Sequence, residues 1–230
     1  MPFTCKGFDL QVILFDLDGT LIDSTEAIIG GFAAAFERHD CPGPLHEEVC
    51  ALIGHPLDVM FSHLGVEPEN VQAYVRAYKE HYRVVSKPKT TLLPTAKEAL
   101  ALARSFAILG VVTTKTSQYS RELLEHMEVM HYFDVLIGRE DVTHPKPHPE
   151  PVLKALSALN APKETSWMIG DTCMDMVAAK EAGIRGVAVT CGYGALSHLE
   201  KCTLHVTNSP IKAVEKILKL SKNDTIRNVS

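Results

Sequence analysis

The chain has 230 residues, of which 46% are hydrophobic and 22% are charged. This balance is typical of a globular protein of one or two domains with a sizeable buried core. Its net charge of −5, without a strongly basic run, argues against a nucleic-acid-binding protein.

The six cysteines are scattered along the chain and form no C-x-x-C pair. Their spacing indicates neither a zinc site nor a disulfide framework, so we interpret them as free thiols, with Cys173 an unreactive buried one. Free thiols suggest a reducing compartment. The first apolar run, Val12–Phe15, is too short for a signal sequence or a membrane span. We therefore expect a soluble, cytoplasmic protein with no membrane partner.

Short apolar runs alternate with segments of helical periodicity along most of the chain. Near-continuous apolar runs are typical of strands that are covered on both faces. Their alternation with helices predicts an α/β fold with a doubly wound parallel sheet. The predicted strands are Val12–Phe15, Ala107–Val112, Val135–Ile137, Trp167–Ile169, Val187–Thr190 and Thr203–Val206. The predicted helices between and after them are Thr95–Ser105, Gln118–Met127, Pro151–Leu159, Asp175–Ala182 and Ile211–Leu220.

The segment Ser24–Pro88 interrupts this alternation and shows helical periodicity alone. Asp23 and Glu26 have the spacing of a capping box at the start of its first helix. Gly30 and Gly31 in that helix would allow another helix to pack closely. Its further predicted helices are Leu45–Ile53, Pro56–Leu64 and Pro68–Val84.

The segment Lys87–Pro94, with two prolines and two threonines, predicts a hinge at the end of this insertion. We therefore divide the chain into three parts. They are an α/β core domain of residues 1–22 and 90–220, an all-helical cap domain of residues 23–89, and a frayed tail of residues 221–230.

Two carboxylates, Asp16 and Asp18, directly follow the first predicted strand. Residues i and i+2 of a strand lie on the same side, and the turn after the strand can separate their roles. One carboxylate can then act as a nucleophile while the other transfers protons. The structural alternative is a simple Asp-Gly turn.

Polar residues also follow the other predicted strands, and ligands of doubly wound sheets bind beyond the carboxyl ends of the strands. These residues are Thr113, Thr114 and Lys115 after the second strand, Lys146 beyond the third, and Asp171 and Asp175 after the fourth. Hydroxyl and ammonium groups can hold phosphoryl oxygens, and carboxylates are preferred ligands of Mg²⁺. The set therefore predicts a site for a phosphoryl group and a divalent cation.

In this order, the motifs resemble those of the haloacid dehalogenase superfamily of phosphohydrolases, from about Val12 to Leu220. They are Asp16-Leu17-Asp18-Gly19-Thr20, Val111-Val112-Thr113, Lys146 in Lys-Pro-His-Pro, and Gly170-Asp171-Thr172-Cys173-Met174-Asp175. The resemblance implies a Rossmann-like core, a small helical cap and Mg²⁺-dependent phosphoryl transfer. It is closest to phosphoglycolate phosphatase-like members, through Thr113-x-Lys115, Lys-Pro-His-Pro and Cys191-Gly192-Tyr193-Gly194.

The resemblance also implies a role for each motif residue. Asp16 would be the nucleophile, and Asp18 would protonate the leaving alcohol and then deprotonate the hydrolytic water. The implied phosphate-binding residues are Thr113, Thr114 and Lys146, and the implied metal ligands are Asp16, Asp171 and the backbone carbonyl of Asp18. Asp175 would orient metal-bound waters or Lys146. Asp18 argues against the dehalogenases and phosphonate hydrolases of the superfamily, which lack a carboxylate there.

Three residues are candidates for contacts with the rest of the substrate: His55, Arg76 and Lys115. The structural alternatives are a turn histidine and a solvated helix arginine. His144 and His148 flank Lys146, and we interpret them as loop histidines rather than metal ligands.

We expect a small phosphorylated metabolite as substrate, with 2-phosphoglycolate first. Pyrophosphate, sugar phosphates and nucleoside monophosphates remain open, as do a β-phosphoglucomutase-type mutase and a non-catalytic phosphate-binding protein. The sequence does not indicate the oligomeric state.

Overall fold

The structure is a computed structural model that describes residues 10–229, with side chains as far as residue 224. The first nine residues of the predicted core domain, including Cys5, and Ser230 of the predicted tail lie outside the described residues.

The strands of the structure confirm the predicted parallel sheet. In chain order they are β1 (Gln11–Phe15), β2 (Ile22–Asp23), β3 (Thr91–Leu92), β4 (Ala107–Val112), β5 (Val135–Ile137), β6 (Ser166–Gly170), β7 (Arg185–Val189) and β8 (Val206–Thr207). Six of them form one parallel sheet in the order β5-β4-β1-β6-β7-β8, whereas β2 and β3 pair separately and antiparallel.

In chain order, the α-helices of the described residues are α1 (Thr25–Glu37), α2 (His46–Cys50), α3 (Leu57–His63), α4 (Val71–Val85), α5 (Ala96–Arg104), α6 (Ser117–His126), α7 (Glu150–Leu159), α8 (Cys173–Ala182), α9 (Leu196–Cys202) and α10 (Pro210–Val229). All of them except α9 overlap predicted helices, and of these all but α10 begin and end within a few residues of the prediction. Helix α9, which the sequence analysis did not predict, ends at Cys202. The last strand therefore begins at Val206 instead of Thr203.

Strand β1 is buried on both faces, which explains its continuous apolar sequence. Ile13 and Phe15 belong to a core cluster that includes residues of α5, α6 and α10. Val12 and Leu14 point the other way, into a cluster that includes residues of α7 and α8. Alternate residues of β1 thus pack against helices on opposite faces of the sheet, as expected for a doubly wound sheet.

Helix α10 continues beyond Leu220, to Val229. Asp224 forms an ion pair with Arg185, at 2.6 Å. The Arg185 guanidinium in turn lies over the ring of the buried Trp167, at 3.7 Å from its centroid. Fraying of residues 221–230 stays a prediction.

Helices α1 to α4 form the predicted helical insertion and have their own aromatic core. Phe32 of α1 contacts Phe61 of α3 and Tyr78 of α4. A Cβ atom at Gly31 would lie 2.5 Å from the Tyr78 ring, so α1 and α4 approach more closely than any larger residue would allow. The prediction of close helix packing at this glycine is confirmed.

The connections between the insertion and the sheet differ from the predicted hinge. Ile22 pairs with Leu92 and Asp23 with Thr91, so both connections pass through the ribbon of β2 and β3. Strands of two residues are too short to show an alternating pattern. The predicted capping box is also wrong: Ser24 is the N-cap, and Glu26 pairs with Lys89 at 3.1 Å.

The prediction that Cys173 is free is wrong, since it forms a disulfide with Cys202. Packing of α9 against α8 brings together two cysteines that are 29 residues apart in the chain. Nothing in their local sequence indicates this pairing. The remaining cysteines of the described region, Cys41, Cys50 and Cys191, are free.

Candidate active site

Four buried charged residues converge at the carboxyl end of the sheet. They are Asp16, Lys146, Asp171 and Asp175, each at most 5% exposed. Asp16 follows β1, Asp171 and Asp175 follow β6, and Lys146 lies on the loop between β5 and α7. Convergence of strand ends explains why residues so distant in the chain meet here.

Lys146 lies at the centre of this group. Its Nζ donates to Asp16 Oδ1 at 2.7 Å, to Asp175 Oδ1 at 2.6 Å and to the Val112 carbonyl at 3.0 Å. These contacts use the three donors of an ammonium group. Burial alone would lower the pKa of Lys146, but Asp16 and Asp175 outweigh it and raise that pKa above its ordinary value. Lys146 is therefore a fixed positive charge beside the Asp16 carboxylate.

Asp175 is held by the start of helix α8. Its Oδ2 accepts hydrogen bonds from the backbone N–H of Thr172 at 3.0 Å and from the Thr172 hydroxyl at 2.7 Å. Thr172 is the N-cap, and Asp175 is the third residue of the helix, so the pair forms a capping box. The spacing Thr-x-x-Asp was visible in the sequence and could have predicted both the helix start and this contact.

Asp171 is fixed by residues from two other segments. Its Oδ1 accepts from the Thr20 hydroxyl at 3.2 Å and its Oδ2 from the Tyr193 backbone N–H at 2.7 Å. Gly19 has a φ of +81°, and a Cβ there would lie 2.3 Å from Asp171 Oδ2. The glycine after Asp18 thus allows the loop to close over the Asp171 carboxylate.

The site carries more negative than positive charge. Burial raises the pKa of Asp16 to about 7, against the lowering effect of Lys146 and with the help of Asp175. Burial, Asp16 and Asp175 likewise raise the pKa of Asp171 well above its ordinary value. Burying like-charged carboxylates with one lysine accounts for both shifts.

Asp16, Asp171 and Asp175 offer carboxylate oxygens within 4.8 Å of one another. A divalent cation would offset their surplus charge, and an all-oxygen donor set suits Mg²⁺. The donor chemistry therefore fits the expected metal. Asp175 belongs to this carboxylate cluster, whereas the side chain of Asp18 does not.

Asp18 instead faces a cavity between the sheet and the helical insertion. One oxygen accepts a hydrogen bond from the Ser24 hydroxyl, and Oδ2 forms an ion pair with Lys115 Nζ at 3.2 Å. The cavity has a volume of about 330 Å³ and is lined by Asp18 and Lys115 from the core and by α1, α3 and α4 residues from the insertion. Asp16 and Asp18 thus face two different environments.

The predicted phosphate-binding threonines lie at the same sheet edge. Thr113 is buried, and its hydroxyl accepts a hydrogen bond from the Lys115 backbone N–H at 3.2 Å. The Thr114 hydroxyl donates to the Gly54 carbonyl at 2.9 Å. Thr114 therefore links the core to the insertion in this structure.

The three candidates for substrate contact have different positions. His55 and Lys115 line the cavity. Burial, with His63 nearby, lowers the pKa of His55. Arg76 is exposed on α4 and does not line the cavity, because that helix turns Val75 and Tyr82 towards it.

Tyr82 was missed by sequence reasoning, although its hydroxyl lies 3.0 Å from Lys115 Nζ. It is fully buried and lies among other core aromatics of the insertion. A tyrosine on the apolar stripe of a helix gives no sequence signal that separates a site residue from a packing residue.

His144 and His148 on the exposed loop around Lys146, with Glu150 at the start of α7, also offer atoms close enough to hold a metal ion. Glu150 already binds the backbone of this loop. It accepts hydrogen bonds from the backbone N–H groups of Thr143 and His144, which lower its pKa to about 2. These contacts shape the loop that delivers Lys146 to the site.

Over residues 10–229, none of the helices is both long enough and apolar enough to cross a membrane.

Comparison with known proteins places these motifs in one family. A family model described as haloacid dehalogenase-like hydrolase matches residues 13–189. Pyrophosphatase PpaX of Bacillus velezensis is 36% identical over 211 residues, covering 86% of this chain and 96% of its own. A phosphoglycolate phosphatase of Salmonella typhi is 32% identical over 209 residues, covering 80% and 83%. A solved haloacid dehalogenase-like hydrolase from Streptococcus pneumoniae superposes with a TM-score of 0.82 at 27% identity, covering 90% and 98%.

Proposed function

Because the chain belongs to the haloacid dehalogenase-like hydrolase family, we propose that it is a Mg²⁺-dependent phosphatase that works through an aspartyl-phosphate on Asp16. The observation that carries the proposal is the buried contact between Asp16 and Lys146 beside the carboxylates of Asp171 and Asp175. A carboxylate that is held by a fixed ammonium group, at the edge where a ligand can enter, is suited to attack on phosphorus.

The proposed reaction has two steps. In the first, an Asp16 carboxylate oxygen forms a bond to phosphorus, the bond from phosphorus to the leaving oxygen breaks, and Asp18 donates a proton to that oxygen. In the second, Asp18 takes a proton from water as the water attacks phosphorus, which releases phosphate and restores Asp16. Asp18 lines the cavity, where a leaving group and a water can both reach it.

Lys146 and the Thr113 hydroxyl would hold the phosphoryl oxygens during both steps. Mg²⁺ bound by Asp16, Asp171 and the Asp18 carbonyl would supply the positive charge that allows an anionic nucleophile to meet an anionic phosphate. Asp175 would keep Lys146 in place through their 2.6 Å contact.

We further propose that helices α1–α4, within residues 23–89, act as a cap over the core of residues 10–22 and 90–220. The cavity between the two parts has room for a small metabolite. The hydrogen bond from Thr114 to Gly54 supports a closed arrangement that excludes bulk water.

We propose 2-phosphoglycolate as the first candidate substrate, supported by the Salmonella relative and the small cavity. Pyrophosphate is the second candidate, and it is favoured by the similarity to the Bacillus pyrophosphatase.

The test is release of inorganic phosphate with Mg²⁺ from a panel of phosphoglycolate, pyrophosphate, hexose 1- and 6-phosphates and nucleoside monophosphates. An Asp16→Asn variant provides the control because it removes the nucleophile with little change in shape. We expect one compound to dominate and the control to release none. Conversion of a hexose 1-phosphate into its 6-phosphate without phosphate release would instead identify a mutase.

A further inference from the structure

We propose that Lys115 and Tyr82 form a subsite for a second acidic group on the substrate, a carboxylate or a further phosphoryl group. This inference rests on the proposed phosphatase function and narrows its substrate class to small phosphorylated acids. The contact between the two side chains joins the core to the insertion across the cavity.

Lys115 is a buried cation with a capacity for one more contact. Its side chain is 10% exposed, and its Nζ meets Asp18 Oδ2 at 3.2 Å and the Tyr82 hydroxyl at 3.0 Å. An ammonium group has three donors, so these two contacts with described residues leave one for a molecule in the cavity.

The contacts of Lys115 make an anion the fitting occupant. Asp18 and Tyr82 leave one donor on its Nζ, which can meet only an acceptor, and a hydrogen bond to an anionic acceptor is the strongest kind. The Nζ also lies 4.7 Å from the centroid of the Tyr82 ring. A charged group in a partly desolvated cavity attracts an anion more strongly than it would in water.

The rest of the cavity wall combines apolar and polar side chains. Ile28, Ile53 and Val75 line it together with the aromatic rings of Tyr78 and Tyr119. Its polar side chains include Asp58, Gln72, Lys79, Arg139 and Glu140. A compact acid with one short carbon linker, or none, fits both the cation and a cavity of about 330 Å³.

The same subsite is next to the proposed acid–base residue. Because Asp18 and the second acidic group would share Lys115, the substrate is placed with its leaving oxygen near Asp18. Lys115 would therefore act as a specificity residue that contacts the substrate, and Tyr82 as its positioning residue from the insertion.

The experiment compares phosphoglycolate with 2-hydroxyethyl phosphate, a substrate of similar size in which a neutral alcohol replaces the carboxylate. We measure kcat and KM for both in the wild type and in Lys115→Met, Lys115→Arg and Tyr82→Phe. Lys97→Met is the matched control, because Lys97 is exposed on α5 and does not line the cavity.

We expect Lys115→Met to lower the preference for the acidic substrate, the ratio of the two kcat/KM values, by roughly tenfold to a hundredfold, through KM. Lys115→Arg should restore part of the preference, Tyr82→Phe should lower it by a smaller factor, and Lys97→Met should leave it unchanged. Because kcat/KM for the acidic substrate is divided by kcat/KM for the neutral one, any effect that Lys115 exerts on both substrates through Asp18 cancels.

Equal losses for both substrates in Lys115→Met would overturn the subsite, as would a similar loss of preference in Lys97→Met. If Lys115→Met does not fold, the same ratio of kcat/KM values is measured for Tyr82→Phe, which removes a single hydroxyl. An unchanged ratio in that variant would then overturn the subsite. Release of no phosphate by the wild type from either compound or from any member of the panel above would overturn the phosphatase proposal and the subsite with it. If the wild type releases phosphate and Lys115→Met keeps the same substrate preference, the subsite is overturned and the phosphatase proposal stands.

Discussion

The two aspartates of the first motif face opposite kinds of environment. Asp16 lies in a buried group of charges whose positions are set by strand ends and by the start of α8. Asp18, two residues later, lines a cavity whose opposite wall is the aromatic core of the insertion. We call the group of Asp16, Lys146, Asp171 and Asp175 the charged side and the cavity beyond Asp18 the cavity side. In the proposed reaction, the charged side would hold the phosphoryl group and the cavity side would hold the rest of the substrate.

The largest effect should follow from Lys146→Met, which removes the cation from the charged side. We expect kcat to fall roughly a thousandfold or more, because the phosphoryl oxygens and the Asp16 carboxylate lose the same donor. The variant should also unfold more easily, since breaking a buried ion pair costs about 3–5 kcal/mol.

Phosphate release and thermal unfolding measure these two effects separately. Lys97→Met, at an exposed position of α5, should match the wild type in kcat. Retention of most activity by Lys146→Met would show that the charged side is not where the chemistry occurs.

The charged side should also make the metal-free protein sensitive to pH. The pKa of Asp16 rises from 3.8 when unfolded to about 7 when folded, so the folded state binds this proton more tightly. The free energy of unfolding should therefore increase as pH falls from about 7 towards 4, and the cost of the ionised carboxylate should be fully present above pH 7.

In EDTA at about pH 8, Asp16→Asn should be more stable than the wild type by on the order of a few kcal/mol, and this gain should vanish near pH 4. Thermal unfolding of both proteins across this range measures the difference. If the difference in stability between the two proteins did not change with pH, burial of the ionised Asp16 carboxylate would not be what destabilises the wild type.

The disulfide next to the charged side provides a smaller, structural effect. Cys202→Ser should lower the free energy of unfolding by about 3 kcal/mol, because Cys173 and Cys202 close a loop of 29 residues. A reducing agent should lower the melting temperature of the wild type and leave the variant unchanged. Cys41→Ser, at an exposed free cysteine, is the control. Equal melting of reduced and untreated wild type would argue that the two thiols are not joined.

The smallest effect concerns the packing behind the cavity. Gly31→Ala should destabilise the insertion by about 1–3 kcal/mol, because the added methyl group meets the Tyr78 ring. Gly30→Ala, one residue earlier, has its nearest contact at 3.5 Å and should stabilise α1 by up to about 1 kcal/mol through helix propensity. Chemical denaturation compares the pair. Similar changes in both variants would contradict the close approach of α1 and α4.

The charged side could be predicted from the sequence, and the cavity side could not. Strand ends converge in a doubly wound sheet, so Asp16 and Asp171 could be brought together from their positions after apolar runs. The contact between Tyr82 and Lys115 depends on how the insertion sits on the core, which no local pattern encodes. The disulfide between Cys173 and Cys202 likewise depends on how α9 packs against α8. The ribbon of β2 and β3 was missed because strands of two residues are too short to show a pattern.

The role of Asp16 as nucleophile is the central claim, and rapid quenching tests it most directly. The protein is mixed with Mg²⁺ and phosphoglycolate or pyrophosphate, quenched in acid within the first turnover, and digested for mass spectrometry. We predict that the peptide containing Asp16 gains the mass of one phosphoryl group, and that Asp16→Asn shows no such gain. Phosphate release by the wild type without any phosphorylated peptide, or with the phosphoryl group on another residue, would contradict the account.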